Sequence, residues 1–161
     1  MTTYLKEDFV YDADLLLEDS LTSAGAVSAI TASQEGKVLD VAKVIDLGDG
    51  LVEGYMIVDI DAIDVAAADE LYEIKLQGTN VAAFATAAAI VDLAQVNLGS
   101  GELVAAATAG ADIGAAGNRF VVPFRNEQNG TVYRYVRAYA KIANGDGETI
   151  TYTAWLSIKR K

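Results

Sequence analysis

The stretch Thr149-Ile150-Thr151-Tyr152-Thr153-Ala154-Trp155-Leu156-Ser157-Ile158 alternates strictly, and its period decides the fold. Ile150, Tyr152, Ala154, Leu156 and Ile158 point one way. Thr149, Thr151, Thr153, Trp155 and Ser157 point the other. A period of two, rich in β-branched and aromatic residues, is a half-buried antiparallel strand. Three other stretches repeat the pattern. In Val52–Asp61, Val52, Gly54, Met56, Val58 and Ile60 share a face; in Glu70–Gln77, Tyr72, Ile74 and Leu76 do; in Arg119–Phe124, Phe120, Val122 and Phe124 do.

Turn chemistry separates these runs. Asp46-Leu47-Gly48-Asp49-Gly50 precedes the second strand, and Gly78-Thr79-Asn80 follows the third. Asn129-Gly130 is a strong two-residue hairpin signal. Asn144-Gly145-Asp146-Gly147 reads as a hairpin joining the last two strands. Weaker segments near Gly25–Thr31, Val38–Asp46 and Ala87–Leu98 bring the expectation to about eight strands, which suits an all-β, jelly-roll-like antiparallel sandwich. Alanine favours helix, so a helical turn is expected near Asn80–Thr86, whereas Gly110, Gly114 and Gly117 make Leu103–Gly117 a loop. Residues 1–37 read as an N-terminal arm and first strand, and 38–161 as the sandwich. Leu15, Leu16 and Leu17, set among acids, read as an arm that orders against a neighbour.

The 161 residues amount to one domain, large enough to fold without staples. There is no Cys and no His, which removes disulfides, thiolate and imidazole metal sites, and the usual base of a Ser or Cys nucleophile. No catalytic residue, cofactor or metal is expected. No secretory signal precedes the first strand, so synthesis in the cytoplasm is expected. The longest apolar stretch, Val81–Ala94, contains Thr86 and Asp92 and is too short to span a bilayer; no membrane partner is expected. The net charge is −11, with residues 119–161 carrying +5 and the rest −16. Such an acidic chain repels nucleic acid, whereas its basic third suits an acidic protein surface.

Acids gather at Asp59, Asp61, Asp64, Asp69, Glu70 and Glu73, but Asp59 and Asp61 share the solvent face of one strand and no calcium loop closes around them. The glycines of Asn144–Gly147 serve a turn without an ion. The segment Thr131–Ala143 carries most promise. Val132, Val136, Ala138, Ala140 and Ile142 supply core on one side, and Arg134, on that same register, is expected at a rim or beside an acid. The other side reads Tyr133, Tyr135, Arg137, Tyr139 and Lys141, an aromatic and cationic stripe suited to a protein interface unless the chain's own loops cover it.

The order of several segments carries a resemblance. Val44-Ile45-Asp46-Leu47-Gly48 is followed by an alternating strand and then by Glu70–Thr79. Next come Ala89-Ile90-Val91-Asp92-Leu93-Ala94, Val121-Val122-Pro123 and Tyr133–Tyr139, and last the strand Thr151–Ile158. Over about residues 38–158 the chain resembles the capsid cement, or decoration, proteins of short-tailed phages of the Bordetella-phage type. Tyr133 stands where that pattern has arginine, Arg137 stands where it has a small residue, and the N-terminal segment is longer and more acidic. The resemblance implies a jelly roll on the outer surface of a phage head, bound to the major capsid protein and to itself, as a homodimer more readily than a trimer. It implies a mechanical role in the virion. The alternative from the residues is a carbohydrate- or receptor-binding sandwich, with Trp155, Tyr133 and Tyr135 as an exposed platform.

Overall fold

The computed structural model describes residues 12–64, 70–99, 117–143 and 148–158. Its strands, in chain order, are β1 (Leu16–Glu18), β2 (Gln34–Glu35), β3 (Lys37–Val38), β4 (Val41–Ala42), β5 (Ile45–Asp46), β6 (Glu53–Ile63) and β7 (Leu71–Thr79). They continue with β8 (Val91–Gly99), β9 (Arg119–Arg125), β10 (Glu127–Gln128), β11 (Thr131–Val132), β12 (Tyr135–Ala143) and β13 (Ile150–Ile158). Helix is confined, among the described residues, to two 3₁₀ turns, Ala13–Leu15 and Ala87–Ala89. The second lies just beyond the expected helical turn. No helix among the described residues is long and apolar enough to cross a membrane.

The chain is an all-β antiparallel sandwich. One sheet runs β1-β13-β6-β9, and the other runs β2-β12-β7-β8, with β5 also on β12. The pairing is nested: β1 meets β13, β2 and β5 meet β12, β6 meets β9, and β7 meets β8. The alternating residues of both sheets meet in one core. Met56, Val58, Ile60, Tyr152 and Leu156 come from the first sheet; Tyr72, Ile74, Leu76, Val136 and Ala138 come from the second.

Several expectations need correction. β12 and β13 lie in different sheets, so the link between them is a crossover and not a hairpin; its residues 144–147 lie outside the described ones. Turn-forming residues mark a reversal of the chain without specifying which strand it pairs with. Most of Leu103–Gly117 also lies outside the described residues. Gly25–Thr31 forms no strand, only single bridges from Val27 to Leu21 and from Ile30 to Ile150. Val38–Asp46 breaks into pieces at a two-residue turn, Leu39-Asp40, with φ of 50° and 66°. Leucine is strained there, and the Asp19 carboxylate holds the turn by accepting from the Leu39 N–H at 3.0 Å.

The N-terminal segment is no free arm where it is described. β1 pairs with Trp155 and Ala154 of β13, and β2 pairs with Tyr139 and Ala140 of β12, so residues on both sides of position 37 build the same sandwich. Leu17 is fully buried in the core, Leu16 is nearly so, and Leu15 packs on the core's edge. Leu16 and Leu17 are thus covered by the chain itself, Leu16 against Trp155 and Ile57 and Leu17 within the main core.

Candidate functional site

The outer face of the second sheet holds the best candidate surface. On β12, Val136, Ala138 and Ala140 are buried, so alternation turns Tyr135, Arg137, Tyr139 and Lys141 outward. Small Ala138 lets other backbone approach: a Cβ on Gly36 would lie 2.9 Å from that of Ala138 and would collide with the Leu17 carbonyl oxygen. In register beside Arg137, Tyr139 and Lys141 stand Gln77, Lys75 and Glu73 of β7.

These outward side chains form one continuous network across four strands. Lys141 Nζ lies 3.1 Å from Glu73 Oε1, and Lys75 Nζ lies 3.0 Å from Glu73 Oε2 and 2.9 Å from Asp92 Oδ2. Gln77 Nε2 donates to Asp92 Oδ1 at 3.2 Å and Gln77 Oε1 accepts from Arg137 Nε at 3.1 Å. Arg137 Nη1 then reaches Glu35 Oε2 at 2.9 Å. Hydrogen bonds from Lys75 and then Lys141 hold the Glu73 carboxyl below its ordinary range. Hydrogen bonds that Lys75 donates to Asp92 and then to Glu73 push its ammonium up. Three cations meet three anions, so the face is electrically self-satisfied. It does not present the unpaired basic stripe that an acidic partner would seek.

Arg137 is also covered. The loop between β7 and β8 folds over it and places the Phe84 ring 4.3 Å from its guanidinium, with the Tyr139 ring at 5.4 Å on a further side. Phe84 is buried and takes φ of 48°, a costly conformation for a bulky residue. A lone Phe in the run Val81-Ala82-Ala83-Phe84-Ala85-Thr86 was the sequence signal for this anchor. The side chain of Arg137 keeps 12% of its surface exposed, whereas Lys141 keeps 47%. Tyr135 and Tyr139 are half-buried.

Tyr133 does not join this face. Residues 133 and 134 fall between β11 and β12, where alternation lapses. Asn126 accepts from the Tyr133 N–H at 2.7 Å through its carbonyl, and Asn80 Oδ1 accepts from the Arg134 N–H at 2.9 Å. Tyr133 therefore packs over Gly78, whose paired residue Val136 faces the core. Arg134 lies beside acids: it grips Asp46 at 2.8 and 2.7 Å, reaches Asp49 at 3.1 Å, and covers the Tyr135 ring at 5.2 Å. Its two hydrogen bonds hold the Asp46 carboxyl below its ordinary range.

The outer face of the first sheet is different. Trp155 and Ile57, expected on the solvent side, are buried with Leu16 beneath Val38 and Tyr55. Arg119 lies 5.3 Å over the Trp155 ring and binds Asp59 through two 2.6 Å hydrogen bonds. The exposed aromatic platform of a sugar binder thus loses its tryptophan. The acidic cluster is dispersed in the same way: Asp59 serves Arg119, Asp61 accepts from Thr153 Oγ1 at 3.3 Å, and Glu73 serves two lysines. Asp69 lies outside the described residues. Among the described residues no group of acids is arranged to hold a metal ion. No family model matches this chain, and no curated protein matches it.

Proposed function

We propose that the chain is a structural virion protein that binds the outer surface of a phage capsid and steadies contacts between major capsid subunits. It works by binding and not by catalysis. The nested pairing supports the jelly-roll part of this reading, because first-with-last, second-with-next-to-last pairing is a long hairpin rolled into two sheets.

The observation that carries the reading is the ordered outer face of β12, β7 and β8. Its polar side chains are fixed by one another, so docking there costs little further side-chain entropy. Tyr135 and Tyr139 add aromatic area at low rotamer cost. Because the charges are internally paired, the contact depends on shape, tyrosine area and hydrogen bonds more than on steering. Self-association, implied by the resemblance, must use surfaces other than Leu16 and Leu17.

The test is co-sedimentation with expanded empty heads of a short-tailed phage, using the wild-type chain and the double variant Tyr135→Ala, Tyr139→Ala. The wild type should pellet with the heads, and the folded variant should stay in the supernatant. A wild type that does not pellet, or a folded variant that pellets equally, overturns the proposal.

A further inference from the structure

The hairpin of β3 and β4 turns through Leu39-Asp40, both at positive φ. Such a turn suits Asn or Gly, and a leucine there is strained. The Leu39 side chain is 46% exposed, so the strain secures little packing within the chain. Val41 and Val44 beside it are exposed as well. Strain retained at an exposed apolar tip is a mark of function. The hairpin is held in place: the Glu18 carboxylate accepts from the Lys37 N–H at 2.9 Å, and Asp19 accepts from the Leu39 N–H at 3.0 Å. It also carries available charge. Among the described residues, Lys43 is the one cation outside the ion pairs.

The same molecule has a complementary hollow. Between the start of β6, the end of β9 and the end of β13 lies a groove of about 970 Å³, with an apolar floor of Leu51, Leu93, Pro123, Phe124 and Ile158. Its rim sets two carboxylates, Glu53 and Glu127, against one guanidinium, Arg125, at 3.0 and 3.6 Å. The rim is therefore net negative, and Glu53 is the more exposed of the two acids. An apolar tip with an unpaired lysine matches an apolar floor with a surplus carboxylate.

The two features are neighbours. Val38 of the hairpin and Tyr55 pack on the same cluster of Leu16, Ile57 and Trp155, and Tyr55 also lines the groove. The hairpin is tied to its own β1 side by the Asp19 N–H, which donates to the Lys37 carbonyl at 3.1 Å, so the groove it can fill is that of another molecule. A two-fold axis beside Tyr55 gives two equal contacts and a closed dimer.

We propose that two copies of this chain associate by exchanging these elements: Leu39, Val41 and Lys43 of each copy enter the groove of the other, and Lys43 meets Glu53. The inference is independent of the capsid reading, because it concerns the isolated chain.

Sedimentation velocity of the full chain over a concentration series tests it. The wild type should form dimers. Lys43→Glu and Glu53→Lys, each alone, should weaken the dimer by more than about tenfold, because each sets like charges together. Mixed in equal amounts, the two variants should dimerise with each other as the wild type does, because both contacts of the mixed pair join opposite charges. Leu39→Asn fits the turn better, so its unfolding midpoint in urea should equal or exceed that of the wild type while its dimer weakens by a similar factor. This variant carries the test if a charge variant fails to fold. A wild type that stays monomeric throughout, a mixture that does not restore the dimer, or a Leu39→Asn chain that dimerises fully would overturn the proposal.

Discussion

The hydroxyl of Ser20 binds both backbone groups of Tyr152, accepting from its N–H at 3.0 Å and donating to its C=O at 2.9 Å. A side chain thus replaces a strand where β1 has ended and β13 runs on. Ser20 is buried and sits at φ of 49°. Ser20→Ala should cost about 1–3 kcal/mol, the usual penalty for stranding buried polar groups. Ser20→Gly loses the same hydroxyl but relieves the left-handed backbone, so it should cost less than Ala. Urea unfolding of both variants decides it; equal loss would show that the strain is not relieved by glycine.

Gly36→Ala should be far worse than a surface change. The new methyl would collide with the Leu17 carbonyl, which is backbone and cannot rotate away. A loss of about 2 kcal/mol or more is expected, as for overpacking in a tight interior. A midpoint in urea within error of wild type would show that β1 and β2 are less closely held than described.

Stability should respond to pH through Glu18. Burial pushes this carboxyl above its ordinary value of 4.5, against the opposing hydrogen bonds from the Lys37 and Ser20 N–H groups. A raised carboxyl favours the native state when protonated, so its contribution is complete below 4.5 and is lost as pH rises through the native value. Asp46 and Glu73, both lowered, act oppositely and lose their contributions as pH falls below their ordinary values of 3.8 and 4.5. Unfolding midpoints should therefore rise from neutral pH toward mild acid and fall in stronger acid. Glu18→Gln should flatten the upper branch only.

The long strands were legible because alternation is a local signal that survives without knowledge of the partner. The β13–β6 ladder and the Asn129-Gly130 turn, at φ of 53° and 80°, follow from it directly. What escaped depends on contacts distant in sequence. Leu16 and Trp155 stood on faces or in segments with no visible partner, and each is the other's cover. The Leu39-Asp40 turn carries only Asp40 as a turn former, and the strained Leu39 beside it is held by Asp19. On the candidate face, the register of Tyr135 to Lys141 was readable. The pairing of its charges was not, because Glu35 lies 102 residues from Arg137 in sequence.

Phe84 tests the loop that covers the face. Phe84→Ala removes a ring stacked on a desolvated guanidinium, a contact worth about 2 kcal/mol when shielded from water. The sandwich should remain folded while limited proteolysis between Asn80 and Ile90 accelerates several-fold. An unchanged cleavage rate would mean that the ring does not anchor the loop.

The face makes a sharper claim about Tyr135 and Arg137, which are two residues apart but differently placed. Arg137 bonds Glu35 and Gln77 and lies under Phe84, so it is part of the scaffold. Tyr135, at the strand's start, is half-buried, with the Arg134 guanidinium 5.2 Å over its ring. Arg137→Ala should therefore lower the stability of the isolated chain by about 1–3 kcal/mol, because it unpairs hydrogen-bonded partners and uncovers Phe84. Tyr135→Ala should cost less than half of that, yet weaken capsid binding by about 2 kcal/mol if it is a central contact. Measuring both quantities for both variants separates the roles. A stability loss from Tyr135→Ala as large as from Arg137→Ala would make the tyrosine internal structure and remove it from the binding surface.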